Sequence, residues 1–260
     1  MLAGKTALIT GSTRGIGLGI AEALAEKGAN IVLNGLISKA EAEALTAQLG
    51  AMYGVRTGFC GADLTNPEAI EEMMQYVAET FGGADILVNN AGMQHVSPIE
   101  SFPVAKWDLI LALNLTAAFH TTRLALSGMK QKGWGRILNT ASAHALVASP
   151  YKAAYVAAKH GLAGLTKTVA LEGAAHGVRC NAICPGYVYT PLVEGQIADT
   201  AKARGLSEEA VKRDVLLAAQ PTKQFVKTEQ VGAFAAFLCS EGGESINGAI
   251  LSMDGGWVAQ

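Results

Sequence analysis

Long uncharged apolar stretches and clustered charge are both missing from this chain of 260 residues. No window offers the roughly 18 uncharged apolar residues that a membrane helix needs. The start, MLAGKTALITG, runs from a short apolar stretch straight into a glycine turn. The formal net charge is −2 and the basic residues are scattered, which disfavours a nucleic-acid-binding protein. We therefore expect a soluble cytoplasmic protein with neither a membrane nor a nucleic-acid partner.

Cysteine is also scarce and shows no C-x-x-C pairing among Cys60, Cys180, Cys184 and Cys239. Cys180 and Cys184 lie inside VRCNAIC, a run typical of a strand. Reduced, buried thiols are the expectation, and no metal site is predicted. Repeats, linkers and low-complexity segments are absent from the sequence as well.

Short apolar runs that alternate with longer helical patterns are what the sequence does contain. Seven strands are predicted at 6–10, 30–34, 56–63, 85–89, 136–142, 178–184 and 248–254. This alternation favours parallel βαβ units with helices on both faces of the sheet. The prediction is an α/β fold, a single doubly wound Rossmann domain over residues 1–260 with a seven-stranded parallel sheet.

Two features of the helical regions add detail to this prediction. Thr65 with Glu68 three residues later is the pattern of a capping box at the start of a helix. Residues 187–225 show helical patches but are too long for a simple crossover. We expect an insertion over the strand ends, where open α/β sheets bind ligands. A helical substrate lid is the main interpretation, and a purely structural subdomain is the alternative.

A glycine-rich turn, TGSTRGIGLG, follows the first predicted strand and opens a helix. Gly11, Gly15 and Gly17 would let the backbone turn tightly and approach a pyrophosphate, which the helix N-terminus attracts. The glycine pattern alone is weak, but its position between strand and helix inside a βαβ unit strengthens it. The sequence therefore predicts a dinucleotide site.

Tyr155 and Lys159 are four residues apart on a predicted helix, so their side chains share one face about 6 Å apart along the axis. A nearby ammonium, like a positively charged oxidised nicotinamide, lowers the pKa of a tyrosine and lets it act as a general base. Ser142, at the end of the fifth strand, can hydrogen-bond a substrate oxygen. The alternative, common for an isolated Y-x-x-x-K, is a core aromatic beside a surface lysine.

Several motifs resemble the short-chain dehydrogenase/reductase family over essentially the whole chain. They are TGSTRGIG at 10–17, NNAG at 89–92, Asn114 in LALNLT, Ser142, YVAAK at 155–159, CPG at 184–186 and DGGW at 254–257. The resemblance implies catalytic roles for Asn114, Ser142, Tyr155 and Lys159. Lys159 would also bind the nicotinamide ribose, and Asn114 would hold a water that relays protons.

The same resemblance implies the residues of the cofactor site. They are Gly11, Thr13, Arg14, Gly15, Ile16, Gly17, Leu36, Asp63, Leu64, Asn90, Ala91, Gly92, Tyr155, Lys159, Pro185, Gly186, Val188 and Thr190. Asp63 and Leu64 would lie near the adenine, and Val188 and Thr190 near the nicotinamide carboxamide.

The choice between NAD and NADP depends on the end of the second strand, LNGLIS, where the acidic residue that marks NAD enzymes is missing. Arg14 stands where a basic residue can meet a 2′-phosphate, so NADP remains open. NAD is the favoured cofactor, because a closer subfamily resemblance implies it.

That closer resemblance is to bacterial family members that interconvert D-3-hydroxybutyrate and acetoacetate with NAD. Its segments are GMQH (92–95), LALNLTAAFH (111–120), SAHALVAS (142–149), KAAYVAAKHG (152–161) and TPLVEGQI (190–197). His144 is two residues from Ser142, and Lys152 is about one helical turn from Tyr155, so both can reach the reacting carbon. The resemblance implies that Gln94, His144, Lys152 and Gln196 grip a substrate carboxylate.

Further expectations complete this interpretation. Tyr187 and Trp257 would form an apolar wall beside the substrate, with Trp257 coming from the same chain or a neighbouring subunit, or only packing. His160 is expected to pack or make a surface bond. A homotetramer is implied by the resemblance. The alternatives are a family member that acts on another secondary alcohol or a 3-oxoacyl substrate, and a noncatalytic dinucleotide-binding protein.

Overall fold

The computed structural model describes residues 2–259, without the side chains at positions 192, 195, 196, 199, 200, 203 and 204. Seven strands form one sheet in this part of the chain: β1 (Thr6–Ile9), β2 (Asn30–Asn34), β3 (Thr57–Cys60), β4 (Ile86–Asn89), β5 (Gly135–Thr140), β6 (Val178–Pro185) and β7 (Ile250–Met253). All neighbouring strands are parallel, in the order β3-β2-β1-β4-β5-β6-β7. The predicted seven-stranded parallel sheet is confirmed.

Helices cover both faces of this sheet. They are α1 (Gly15–Glu26), α2 (Lys39–Tyr53), α3 (Pro67–Phe81), α4 (Val104–Leu111), α5 (Ala117–Lys132), α6 (Ala153–Gly173), α7 (Pro191–Arg204), α8 (Glu208–Ala210) and α9 (Thr228–Cys239). Alternate residues of β1 enter different cores: Ala7 and Ile9 pack with α1 and α9, and Leu8 packs with α3 and α5. Because both faces are buried, the strands are mostly apolar, with buried polar exceptions such as Asn34 and Asn139, and the doubly wound arrangement is confirmed.

The strand order reverses direction between β1 and β4. From β1 the chain adds β2 and β3 on one side, and β4 to β7 extend on the other. The loops after β1 and β4 therefore diverge and open a crevice at the carboxyl ends of the strands, where folds of this kind bind ligands.

The start of α3 differs from its prediction by one residue. Asn66 caps the helix, and its Oδ1 accepts a hydrogen bond from Glu68 N at 2.9 Å. Thr65 instead donates to Asp63 Oδ1 at 2.8 Å. The predicted capping box at Thr65 is wrong because Pro67 occupies the first helical position, which its fixed φ favours.

Helices α4 and α5 join through a π-helical turn, Ala112–Thr116, into one helix over Val104–Lys132. Its 29 residues and hydropathy of 1.3 satisfy the length and composition of a membrane span, and 39% of its most apolar window is buried. Its buried polar groups bind the protein core, since Thr121 Oγ1 donates to Asn89 Oδ1 at 2.6 Å. The helix therefore belongs to the folded domain.

Residues 187–225, the lid segment, contain α7, α8 and a π-helical turn at Val211–Leu216. Ile197, Val211 and Leu216 form a small core of their own. An isolated parallel bridge joins Val188 to Val226 and ties the two ends of the segment together. The expected helices are present over the strand ends, and their role as a lid stays a prediction.

Candidate active site

Backbone atoms of the glycine loop and of α1 form a cradle after β1. Gly11 and Gly15 adopt φ of 59°, a left-handed conformation that favours glycine. A Cβ on Gly17 would lie 2.5 Å from both Asn90 Nδ2 and Gly11 O, so only glycine fits there. Arg14 precedes α1 without capping it through its side chain. The first-turn N–H groups are left for an anion, and the cradle fits the pyrophosphate of a dinucleotide.

Asn90 and Ala91 fix the loop after β4 against this cradle. Asn90 Nδ2 donates to the carbonyl oxygens of Thr10 and Gly11, each at 3.0 Å. The hydroxyl of Thr10 accepts from the N–H groups of Asn90 at 2.8 Å and Ala91 at 3.0 Å. These two predicted cofactor residues therefore shape the crevice wall through backbone and amide bonds, and Gly92 continues the wall.

Neither Asn34 nor Leu36, at the end of β2, has a charged side chain. Asn34 uses its amide internally: Oδ1 accepts from Gly11 N at 3.2 Å, and Nδ2 donates to two carbonyl oxygens of the β3 end. Leu36 is 73% exposed. Thr13 fills the space beside Gly35, because a Cβ on Gly35 would lie 2.6 Å from Thr13 Cγ2. The exposed Arg14 is the basic group of this region, as predicted.

Asp63 and Leu64, the predicted adenine neighbours, follow β3. Hydrogen bonds from the backbone N–H and hydroxyl of Thr65 hold the pKa of Asp63 below its ordinary value. Leu64 is 5% exposed and lies beside Ala91 in a small separate cavity. Neither residue lines the main cleft, so their contact with an adenine remains a prediction.

The main cleft lies at the carboxyl ends of the strands and gathers most of the predicted site. Its predicted lining residues are Ile16, Asn90, Gly92, Gln94, Ser142, His144, Lys152, Tyr155, Lys159, Pro185, Gly186, Tyr187, Val188, Thr190 and Trp257. Residues from β5, α6, β6 and the C-terminus therefore meet in one place although they are far apart in sequence.

Tyr155 and Lys159 lie on the same face of α6, as their spacing predicts. Lys159 is 3% exposed, and its Nζ donates to Thr140 O at 2.7 Å. The distance from Nζ to the Tyr155 ring centroid is 5.6 Å. Burial lowers the pKa of Lys159 to about 8. The ammonium is therefore held between a backbone carbonyl and the tyrosine.

The groups of the protein do not by themselves produce the expected lowering of the Tyr155 pKa. Burial raises the pKa of Tyr155, while the interaction with the Ser142 side chain acts in the lowering direction. Loss of water around a phenolate outweighs the help of the neighbouring protein groups. The lowering expected from an oxidised nicotinamide stays a prediction.

Ser142 and His144 contact each other at the end of β5. The Ser142 hydroxyl oxygen accepts from His144 N at 3.2 Å and lies 3.3 Å from His144 Nδ1. His144 is 4% exposed, and its Nε2 has no hydrogen-bond partner among the described residues. Burial, and then the charges of Lys152 and His160, lower the pKa of His144 to about 4. His144 is therefore a neutral imidazole.

Lys152 supplies the positive charge beside His144. Burial lowers the pKa of Lys152, and its Nζ lies 5.8 Å from the ring centroid of Tyr187. Lys152 and Gln94 reach the cleft from opposite loops, which a hydrogen bond from Ser97 N to Tyr151 O at 2.9 Å connects. Of the residues predicted to bind the carboxylate, Lys152 is thus an ammonium and His144 a neutral imidazole.

Two aromatic rings form a wall of the cleft. Tyr187 and Trp257 stack with their centroids 5.8 Å apart and an interplanar angle of 9°. The edge-to-face contact of Trp257 with His144 has a centroid distance of 5.0 Å. Trp257 therefore reaches the cleft within its own chain, in contact with His144.

The lid segment begins beside the glycine loop. Thr190 Oγ1 accepts from Val193 N at 3.4 Å and caps α7. A Cβ on Gly15 would lie 3.4 Å from Thr190 Cγ2, so the start of α7 adjoins the cofactor cradle. Gln196 lies in α7, but its side chain is outside the described residues.

Asn114 lies in the π-helical turn and is buried at 2% exposure. Its amide pairs with the backbone of Met93: Oδ1 accepts from Met93 N and Nδ2 donates to Met93 O, both at 2.9 Å. Asn114 therefore holds the segment that carries Gln94, and it does not line the main cleft. Single π-helical turns often occur at functional sites.

Comparison with known proteins agrees with this geometry. Residues 5–201 match the short chain dehydrogenase family. The chain belongs to the short-chain dehydrogenase family. A relative from Cupriavidus necator, named D-beta-hydroxybutyrate dehydrogenase, is 59% identical over 260 residues. The match covers 100% of this chain and 100% of the relative. A relative of the same name from Rhizobium meliloti is 57% identical over 98% of this chain and 99% of its own length.

Solved structures of family members share the fold. L-sorbose reductase from Gluconobacter frateurii, in complex with NADPH and L-sorbose, superposes with a TM-score of 0.95. It is 34% identical, and the match covers 100% of this chain and 98% of that chain. As a family member, this chain uses a nicotinamide dinucleotide cofactor.

Four residues that line the cleft were not predicted: Met93, Thr140, Ala141 and Val193. Thr140 and Ala141 directly precede Ser142, so their position at the end of a strand was a usable signal. Val193 lies one turn into α7, and only the packing of the lid segment reveals its contribution. Among the described residues, no three His, Cys, Asp or Glu side chains group to hold a metal ion.

His160 and the cysteines match their predictions in part. His160 Nδ1 lies 3.0 Å from Val156 O on the exposed side of α6, which confirms the expected surface bond. All four cysteines are free; Cys180, Cys184 and Cys239 are buried, whereas Cys60 is half-buried.

Proposed function

We propose that this protein catalyses the reversible oxidation of D-3-hydroxybutyrate to acetoacetate, with NAD as hydride acceptor. The unpartnered, buried Nε2 of His144 beside the Lys152 ammonium carries this proposal. A carboxylate bound there would accept hydrogen bonds from both groups and satisfy the orphan nitrogen. The names of the two relatives above 55% identity support the same substrate.

Tyr155 performs the acid–base step. A bound oxidised nicotinamide would supply the acceptor for the hydride of the hydroxyl-bearing carbon of the substrate. Tyr155 takes the hydroxyl proton in oxidation and returns it to the carbonyl oxygen in reduction. The protein's own groups raise the pKa of Tyr155, which suits the second direction, because the phenol then keeps the proton that the carbonyl oxygen receives.

Ser142, Lys159 and Asn114 support this step. Ser142 hydrogen-bonds the substrate oxygen, and its 3.3 Å contact with His144 Nδ1 is long enough to be exchanged for that bond. Lys159 binds the nicotinamide ribose and stabilises a phenolate on Tyr155. Asn114 positions Met93 and holds the water of a proton relay.

The carboxylate end fixes the orientation of the substrate. Lys152 contributes the charge, and His144 donates from Nε2 in the neutral tautomer that carries its proton there. Gln94 and Gln196 add amide donors from the loop after β4 and from α7. The substrate is then held in one orientation, and the lid segment closes over it. The stacked rings of Tyr187 and Trp257 contact its methyl end.

The choice of NAD rests on the closer resemblance to NAD-dependent hydroxybutyrate dehydrogenases. The end of β2 is neutral on this choice: it lacks the acidic residue typical of NAD enzymes, and it also offers no partner to a 2′-phosphate, because Leu36 is apolar and the amide of Asn34 is already occupied. Arg14, exposed next to the cradle, and the NADPH bound by the related L-sorbose reductase favour NADP. NADP use is therefore the second candidate. The remaining cofactor contacts, including those of Asp63, Leu64, Val188 and Thr190, belong to the same proposal.

Cellular location and assembly complete the proposal. The protein is a cytoplasmic homotetramer, as the family resemblance implies, with a small carboxylate substrate, which the names of the two relatives support. Cell fractionation tests the location.

The test is the rate of formation of the reduced cofactor with D- and L-3-hydroxybutyrate at equal concentration, first with NAD and then with NADP. We expect turnover of the D enantiomer with NAD. Equal rates for both enantiomers, or no rate with either, would contradict the substrate. Faster turnover with NADP would overturn the cofactor. A faster rate with a 3-hydroxyacyl thioester than with the free acid would favour the 3-oxoacyl alternative.

The general base is tested by Tyr155→Phe. The phenyl ring keeps the packing but cannot carry the proton, so we expect kcat to fall by at least 10²-fold with cofactor binding preserved. Fluorescence titration with NADH provides the binding control. A variant with near wild-type kcat would contradict the role of Tyr155.

A further inference from the structure

Gln220, near the end of the lid segment, is completely buried and is not among the predicted site residues. Its Oε1 accepts a hydrogen bond from Tyr187 N, and its Nε2 donates to Gln224 O at 2.8 Å. One amide therefore joins the loop after β6 to the end of the lid segment.

The surroundings of Gln220 require two glycines. A Cβ on Gly186 would lie 2.5 Å from Gln220 Oε1. Gly255 has φ of 62°, and a Cβ there would lie 3.4 Å from Gln220 Nε2 and 2.3 Å from Thr222 Oγ1. Gln220 is thus packed between the loop that carries Tyr187 and the turn that precedes Trp257.

Both backbone polar groups of Tyr187 bind this end of the lid segment. Its N–H donates to Gln220, and its carbonyl oxygen accepts from Val226 N at 2.9 Å. Thr222 N donates to Gly255 O at 3.2 Å, which ties down the turn before Trp257. The position of the stacked Tyr187 and Trp257 rings therefore follows from contacts around Gln220.

We propose that Gln220 is a positioning residue that fixes the wall formed by Tyr187 and Trp257 and thereby limits the length of the alkyl chain on the substrate. The nature of the substrate rests on the proposed function above, whereas the effect on the wall does not. A short 3-hydroxy acid fits against a fixed wall, and a longer one fits only when the wall can move.

A matched control separates positioning from general stability. Asn181 is 1% exposed and also bridges two backbone groups, because its Nδ2 donates to Ile246 O at 2.8 Å and its Oδ1 accepts from Ala249 N at 3.0 Å. It does not line the cleft. Asn181→Leu should lower the thermal midpoint about as much as Gln220→Leu does, without changing the cleft.

Kinetics form the first test. For Gln220→Leu we expect KM for D-3-hydroxybutyrate to rise at least tenfold, KM for NAD to stay within twofold, and the preference over D-3-hydroxypentanoate to fall at least fivefold. Gln220→Glu keeps the acceptor for Tyr187 N–H and should show a smaller change. If Gln220→Leu does not fold, Gln220→Glu is the variant used for the test. An equal loss of activity towards both acids, or the same change in Asn181→Leu, would overturn the proposal.

Fluorescence provides a second test that needs no substrate. In a Trp107→Phe, Trp134→Phe background, Trp257 is the remaining tryptophan. We expect Gln220→Leu to raise acrylamide quenching of Trp257 at least twofold and Asn181→Leu to leave it unchanged. Unchanged quenching in Gln220→Leu would overturn the proposal. If the wild-type protein does not oxidise 3-hydroxybutyrate, the proposed function fails, and quenching still decides the role of Gln220.

Discussion

His144 and Lys152 are neighbouring polar residues in one cleft, yet burial gives them different charges. The imidazole, enclosed by the rings of Tyr155 and Trp257, has a pKa of about 4 and is neutral at pH 7. The Lys152 ammonium is also partly desolvated, but its ordinary pKa is high enough to keep its charge. Charge recognition in the cleft therefore depends on Lys152, and directional hydrogen bonding depends on His144.

Acid should destabilise the fold through His144. Its pKa is lowered from 6.5 to about 4, so the unfolded chain binds more protons between these values, and stability is lost as pH falls below 6.5. Between pH 7.5 and pH 5 this group should cost about 2 kcal/mol of unfolding free energy. Urea unfolding of the wild type and of His144→Asn at both pH values checks this. If the difference in unfolding free energy between the two proteins is the same at both pH values, the neutral buried imidazole is refuted.

Helix α1 shows how one element serves both fold and site. Its buried face joins the core with α9, and its uncapped N-terminus completes the cradle. The tight contact at Gly17 connects these roles, because it brings the first turn of α1 against Asn90 and Gly11. Any side chain there would separate the helix from the loop after β4.

We expect Gly17→Ala to weaken cofactor binding at least tenfold and to destabilise the fold by about 1–3 kcal/mol through overpacking. Titration with NADH and urea unfolding measure the two effects. Gly54→Asn is the control, since its left-handed backbone suits asparagine and no atom lies within 4 Å of an added Cβ. Wild-type NADH affinity in Gly17→Ala would contradict the assignment of the cradle.

At the scale of the whole molecule, apolar surface remains outside the two cores. Val104 is 73% exposed and Phe119 is 48% exposed on the long helix Val104–Lys132. Where such exposed apolar side chains form a contiguous patch, they are typical of contacts between proteins. The proposed homotetramer would cover it.

Sedimentation equilibrium should give the mass of four chains of 26.9 kDa. A charge at the centre of an apolar contact is costly, so Phe119→Glu should shift the assembly towards smaller species. Exposed Leu171 (80%) lies on α6, and Leu171→Glu serves as a comparison for a second exposed apolar position. A monomeric wild-type protein at micromolar concentration would contradict the homotetramer.

The predictions from sequence were strongest where local patterns carry the information. All seven strands, the glycine loop and the shared face of Tyr155 and Lys159 follow from periodicity and spacing. The cap of α3 was misplaced by one residue because Pro67 competes with the capping box. The protein groups alone do not lower the pKa of Tyr155, because desolvation depends on the whole surroundings of a side chain, which spacing does not contain.

The sequence by itself determined the parallel α/β sheet, the dinucleotide cradle and the chemical groups available for hydride transfer, because each depends on residues close together in the chain. Only the tertiary structure decided that His144 is neutral, that Trp257 walls the cleft from its own chain, and that Gln220 joins two loops. These properties arise from contacts between distant segments, where burial and geometry control charge, packing and hydrogen bonding.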